Sequence, residues 1–234
     1  MTKADPTMVT DDMVTDDMVT DGEDLVAADG RRPGRRGRAT RQRLLERTAD
    51  LLATTAYRDL KVVDVARGAG TSPATFYQYF ADVEGAILVL GEGIIADATD
   101  LAGHVAGDWG GRPVEMAGAI VDEFLTFWDD HASVLRVIDL LTLEGDGRFR
   151  DLRTRALNAI TDAFQTVLVD GRRSGRLDAS VDPQATAGVI VAMLAHVASH
   201  RPGMEAWGVS RSALVASLTR LVSLAVSGVA PSRR

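Results

Sequence analysis

A chain of 234 residues exceeds one typical domain of about 100–200 residues, and 46% apolar content with only 5% aromatic residues favours packed helices over a strand-rich β-sandwich. The absence of cysteine excludes disulfide staples, thiolate catalysis and Cys-ligated zinc. The net charge of -7 hides an asymmetry. Residues 1–30 hold 1 basic and 9 acidic residues, residues 31–80 hold 11 and 4, and residues 81–234 hold 14 and 20. A compact basic island inside an acidic chain is the electrostatic footprint of a nucleic-acid-binding module attached to something with another task.

Residues 8–22 read MVTDD, MVTDD, MVTDG, a polar acidic pentapeptide repeated in tandem without helical or strand period, and disorder is expected there. Two readings stay open: an acidic tail that competes with DNA for the basic island, or an inert repeat extension. The acidic start lacks the basic-then-apolar pattern of a secretory leader, and the longest apolar runs, residues 86–90 and 187–195, fall short of the roughly 18 residues a membrane span needs. A soluble cytoplasmic protein with no membrane partner is expected.

Residues 31–38, RRPGRRGR, read as a flexible basic arm that seeks phosphate, with Pro33, Gly34 and Gly37 opposing a helix. Thr40 is the expected N-cap of a first helix running to residue 53. Its apolar face is Leu44, Leu45, Thr48, Leu51 and Leu52, and its other face carries Arg41, Arg43 and Arg47. After a loop over residues 54–59, Val62, Val63, Val65, Ala66 and Ala69 form a short second helix that Gly70 ends. Ser72 caps a third helix, Pro73 suits its first position, and residues 74–80 supply its body. Two short helices joined by a tight Gly-containing turn make a helix-turn-helix.

A longer helix over residues 83–105 follows Asp82, with Gly85, Gly91 and Gly93 as points where it bends or packs closely. Five further helical patterns cover residues 113–129, 132–143, 147–171, 183–200 and 210–226, separated by Gly-, Asp- and Pro-containing breaks. No stretch alternates with period two. The expected architecture is all-α, with residues 1–38 as disordered repeat and arm and residues 39–84 as a three-helix DNA-binding domain. Residues 85–228 form a larger helical effector-binding and dimerisation domain, and residues 229–234 a tail.

A recognition helix needs small or polar side chains at its N-terminal end to enter a groove about 12 Å wide, and Thr71, Ser72, Ala74, Thr75 and Gln78 supply them. Gln78 suits an adenine edge, and Ala74 or Thr75 a thymine methyl. Tyr77 and Tyr79 carry hydroxyls for phosphate, while Phe76 and Phe80 face the core formed by Leu51, Val62, Val65 and Ala66. The expected DNA-contact set is Arg36, Arg38, Thr40, Arg41, Lys61, Thr71, Ser72, Pro73, Ala74, Thr75, Tyr77, Gln78 and Tyr79.

The segment DVARGAGTSPATFYQYFADVEGAI, residues 64–87, resembles the DNA-binding signature of the tetracycline-repressor (TetR) family. The resemblance rests on Ala69-Gly70, Ser72-Pro73, Thr75-Phe76, the Tyr77, Tyr79 and Phe80 cluster, and the Asp82-initiated helix with Glu84. It is close over residues 40–90. One departure is Val83, where the family usually places a Lys or Arg that contacts phosphate; backbone N–H groups at that helix end, or Arg35, Arg36 and Arg38, are the expected substitutes.

The resemblance implies a homodimer formed through the last two helices, double-stranded operator DNA as partner, a small-molecule effector in the larger domain, and repression as the default polarity. The expected effector-contact set is Trp109, Met116, Ile120, Phe124, Phe127, Trp128, Leu135, Phe164, Met193 and His196, a mostly apolar lining that suits a hydrophobic or acyl-type molecule. His196 and His200 have the spacing of a two-His metal site but no evident third ligand, so they read as surface or interface histidines, and no metal or cofactor is expected. No G-x-G-x-x-G after a strand, Walker loop, H-E-x-x-H or Ser-His-acid signature points to an enzyme. A DNA-binding regulator without an effector, or an activator, is the alternative.

Overall fold

The computed structural model describes residues 34–109 and 111–228. Its elements are α1 (Arg35–Thr54), a 3-10 turn (Tyr57–Asp59), α2 (Val62–Gly68), α3 (Pro73–Tyr79), α4 (Val83–Val105), α5 (Pro113–Leu143), α6 (Gly147–Arg173), α7 (Pro183–Ala206) and α8 (Arg211–Ser227). The described residues contain no strand. The acidic repeat, Arg31, Arg32 and residues 229–234 lie outside the described residues.

Helix α1 starts five residues ahead of the expected Thr40 cap. The Arg38 N–H donates to the Gly34 carbonyl (3.0 Å), and the Thr40 hydroxyl donates to the Arg36 carbonyl (3.1 Å), so Thr40 lies within the helix. Gly37 is tolerated there, at about 1 kcal/mol relative to alanine. Part of the basic arm is thereby a rigid extension of α1.

Residues 113–143 form one 31-residue helix where two were expected. The polar triplet Asp129, Asp130, His131 reads as a break, yet two of its members bond outward to neighbouring helices. Asp129 accepts from Arg201 of α7 (2.9 and 2.5 Å) and Arg211 of α8 (3.0 Å), and His131 Nε2 lies 2.9 Å from Asp97 of α4. Likewise α7 continues past His200 through Pro202 to Ala206. Arg201, 14% exposed along its side chain, is clamped by Asp129 and Glu205 on either side of that proline.

One apolar core runs from Leu44 of α1 to Val226 of α8. Helix α4 joins the two parts of the molecule: it packs on α1 at one end, while along its length it lies against α5 and α6. Its seam with α6 is close because a Cβ at Gly91 would stand 2.2 Å from Leu152 Cδ2. Gly93 faces open space. The flanking Glu92 receives two bonds from Arg155 of α6 (2.9 and 2.5 Å), and His104 Nδ1 meets Glu123 of α5 at 2.5 Å.

Candidate nucleic-acid interface

Two backbone bonds close the turn between α2 and α3. The Gly70 N–H donates to the Arg67 carbonyl (3.1 Å) and the Thr71 N–H to the Ala66 carbonyl (2.9 Å), the paired closure of a Schellman motif. Gly70 takes φ 68°, a left-handed value that a side chain would strain. The Ser72 hydroxyl then accepts from the Thr75 N–H (3.2 Å), and Pro73 occupies the first helical turn where its missing N–H is no loss.

Helix α3 has two unlike sides. Phe76 and Phe80 are buried, with ring centroids 5.4 Å apart. Ser72, Pro73, Ala74, Tyr77 and Gln78 are exposed, Tyr77 to 54%. Thr71 and Thr75 are half-buried, and the Thr75 hydroxyl lies 3.0 Å from that of Ser72. The two tyrosines therefore differ: Tyr77 is exposed with its ring edge-on to Phe76 (5.9 Å), whereas Tyr79 is packed partly against the core beside Phe80 (6.5 Å).

The basic residues also separate. Arg36 and Arg38 are exposed on the first turns of α1, and Lys61 is exposed just before α2. Arg41 is half-buried with its guanidinium 5.4 Å from the Phe80 ring centre, a cation–π contact that joins α1 to α3. Burial pulls its pKa below the ordinary value for arginine. Thr40 is engaged within α1, donating to Arg36 and accepting from the Arg43 guanidinium (3.2 Å).

At the start of α4, Val83 is buried, and the Asp82 carboxylate already accepts the Gly85 N–H (2.7 Å). Glu84 adds a second carboxylate and accepts from the Tyr57 hydroxyl. Two carboxylates thus stand at the positive end of this helix dipole, where the sequence suggests a phosphate held by N–H groups. Burial first, and then the Glu84 carboxylate, raise the Tyr57 pKa, so its hydroxyl stays protonated and acts as donor.

The ten expected effector-contact residues lie in different surroundings among the described residues. Trp109 is buried at the end of α4, its indole N–H satisfied by the Val105 carbonyl (2.9 Å), with Phe164 6.3 Å away. Ile120 and Phe124 are fully buried core, and Met116 and Met193 pack partly against it. Phe127, Trp128 and Leu135 do line a cleft, together with Gly91 and Ile94 of α4 and Leu152 of α6, but its free volume is about 10 Å³. His196 is exposed, stacked on His200 at 4.1 Å and 23°. It lines a separate open groove of about 670 Å³ between α5, α6 and α7. Among the described residues, no group of three or more His, Asp or Glu side chains is arranged to hold a metal. No helix among them is long and apolar enough to cross a membrane.

Residues 101–233 match the tetracyclin repressor-like C-terminal domain, and residues 44–85 match the bacterial regulatory proteins of the tetR family. The chain belongs to the tetR family. Solved structures share the fold. The fatty acid degradation regulator FadR from Bacillus halodurans has 16% identity and a TM-score of 0.63 over 87% of this chain and 100% of its own. A tetR-family regulator from Rhodococcus sp. has 20% identity and a TM-score of 0.61 over 81% and 100%. FadR from Bacillus subtilis, solved with stearoyl-CoA, has 17% identity and a TM-score of 0.61 over 81% and 99%. No curated protein matches in sequence.

Within this tetR-family chain, the DNA-binding helix-turn-helix is α2 and α3, braced by α1. Sequence reasoning missed the Tyr57–Glu84 bond, which ties the loop after α1 to α4. It also missed the Arg153–Asp139 pair between α6 and α5 (2.7 Å). A lone tyrosine in an otherwise polar loop was a faint signal for the first. The second joins two helices through residues 14 apart and leaves no local pattern.

Proposed function

We propose that this chain acts as a homodimeric repressor that inserts α3 into the major groove of operator DNA and is released by a hydrophobic, acyl-type effector. The observation that carries the DNA part is the two-sidedness of α3. Its aromatic side is locked into the core, and Ser72, Pro73, Ala74, Tyr77 and Gln78 remain free to meet a duplex. Gln78 would read an adenine edge, and Ala74 or Thr75 a thymine methyl. Tyr77, Arg36, Arg38 and Lys61 would bond phosphates and fix the register. Arg41, Tyr79, Thr40 and Thr71, engaged or half-buried, would act mainly by positioning α3.

A two-fold dimer would present two copies of α3 to half-sites about one helical turn apart. Exposed Val189 of α7 and Leu221 of α8, among alanines and serines, offer a close-packing surface for the second copy.

The effector part is supported by the apolar cleft between α4, α5 and α6 and by the stearoyl-CoA bound in a protein of the same fold. At about 10 Å³ the cleft holds no more than a water, so an acyl chain must part its walls. Gly91 and Ile94 of α4 form one wall, and the Gly91–Leu152 seam leaves no slack. Entry of a chain would therefore displace α4. Because α4 is tied to the helix-turn-helix through its contact with α1 and the Tyr57–Glu84 bond, displacement would re-space the two recognition helices. The ligand acts only through its different affinity for the two states. The closed cleft also suits a regulator that needs no effector.

Selection of genomic fragments by the purified full-length protein, followed by titration of the bound duplex with palmitoyl-CoA, tests the whole reading. A palindromic operator released by the acyl compound is expected. No duplex preference overturns the DNA part, and a preferred operator that no acyl compound releases favours the effector-free regulator.

A further inference from the structure

We infer that the acidic repeat of residues 8–22 docks on the basic face that α1 and α3 offer to DNA, a tethered phosphate mimic that turns away unrelated duplex; the inference rests on the DNA reading of that face above. The two partners are opposite in charge. The repeat carries Asp11, Asp12, Asp16, Asp17 and Asp21 and no basic residue. On the face, Arg35, Arg36, Arg38 and Lys61 are exposed and, among the described residues, pair with no carboxylate. Acids of the same region are engaged locally: Asp50 lies 3.8 Å from Arg47, Asp64 lies 3.4 Å from Arg67, and Glu46 accepts from Gln42 (3.1 Å). The cations on this face therefore await an anion from elsewhere, and the repeat is an anion on the same chain.

Helix α1 fixes where the repeat is anchored. Because the helix starts at Arg35, ahead of Thr40, the arm arginines ride on its first turns and the preceding chain joins at their edge. Arg41, with its guanidinium 5.4 Å from the Phe80 ring centre, ties these turns to α3. At 1.5 Å per residue, Arg41 lies about 10 Å along the helix from Gly34. The chain from Asp21 to Gly34 can span up to about 45 Å, several times that separation. The repeat can thus lie across the start of α1 and the exposed side of α3.

Tethering gives weak contacts weight. One exposed ion pair holds little, but a segment on a short tether competes at an effective concentration on the order of millimolar. The consequence is selectivity. Binding to unrelated duplex is electrostatic and sequence-independent, so a tethered polyanion displaces it directly. In the proposed complex an operator adds base-edge contacts through Ala74, Thr75 and Gln78, which the repeat cannot imitate. Screening weakens the docked state as salt rises, because the Debye length shrinks from about 30 Å at 0.01 M to about 8 Å at 0.15 M.

Neutralising the repeat within the full-length chain tests this, by the combined substitutions Asp11→Asn, Asp12→Asn, Asp16→Asn, Asp17→Asn and Asp21→Asn. Affinity for random duplex should rise about tenfold at about 50 mM salt, affinity for a selected operator should rise by a smaller factor, and both gains should shrink by about 200 mM. A second readout needs no DNA. The chain's lysines are Lys3 and Lys61, so carbodiimide coupling followed by peptide mass analysis should find repeat carboxylates joined to Lys61. Excess duplex should suppress that link, and Lys61→Arg should abolish it. Unchanged affinity for random duplex in the neutralised chain overturns the inference, as does the lack of any link between the repeat and Lys61. An equal gain on operator and random duplex overturns the selective role. If the neutralised chain binds no duplex at all, the DNA reading falls, and this inference with it.

Discussion

The helix-turn-helix and the helices behind it are held in different ways. From Val65 to Gly85, the turn, the Ser72 cap and the Asp82 cap are each closed by bonds spanning three to five residues of chain. In the larger domain the decisive contacts are distant: Asp129 to Arg201 and Arg211, Glu92 to Arg155, Gly91 against Leu152. Local closure gives α3 one shape whatever the rest of the molecule does. Distant closure ties α4, α5 and α6 to one another across the chain, and under the proposed reading these are the contacts an effector would have to rearrange.

The contrast can be broken most forcefully at Phe76, whose ring is fully buried beneath α3. Phe76→Ala should remove about 3–5 kcal/mol, enough to disorganise three short helices; urea unfolding and duplex binding would both register it, the second as outright loss. The next largest effect is expected at the α4–α6 seam, where Gly91→Val forces Leu152 aside and should cost about 1–3 kcal/mol. Gly93→Ala, facing open space two residues on, should instead stabilise by up to about 1 kcal/mol. Thermal melts of the pair measure how closely the two helices approach. Ser72→Ala loses the cap on α3 and should cost about 1 kcal/mol, with a larger proportional fall in operator affinity than in global stability.

A smaller effect belongs to the distant contacts. The hydrogen bond from Arg201 first, and that from Arg211, hold the Asp129 carboxyl below its ordinary pKa of 3.8. A depressed folded-state pKa means that its contribution to stability is complete above that value and is lost as the pH falls through the folded pKa. Melting temperatures below pH 3.8 should therefore fall less steeply for Asp129→Asn than for the parent. Arg36→Ala and Arg38→Ala should leave stability unchanged, yet each lost phosphate contact should lower the salt slope of log K by about 0.9.

This same division decides how far the molecule is legible from its sequence. Gly70, Ser72-Pro73 and Asp82 announce their roles within a few residues, so the helix-turn-helix reads directly. Charge was misleading at two points. The Arg35–Arg38 run was expected to be a loose arm, but α1 extends through it. Asp129 to His131 was expected to interrupt a helix that in fact continues because partners on other helices take up those polar groups. Size and apolarity, the marks of the expected effector-contact residues, are shared by core and cleft; only three-dimensional placement separates Phe124, sealed in the core, from Trp128 on the wall of two cavities.

The most direct measurement compares affinity for a selected operator and for random duplex, at one ionic strength, between the parent and the double variant Tyr77→Ala, Gln78→Ala. Both side chains lie on the free side of α3, so folding and melting temperature should be untouched while the operator preference falls by about 1–3 kcal/mol at the contacted base pair, with a further general loss from the phosphate contact. An unchanged preference in a well-folded variant would contradict the assignment of this helix face to DNA.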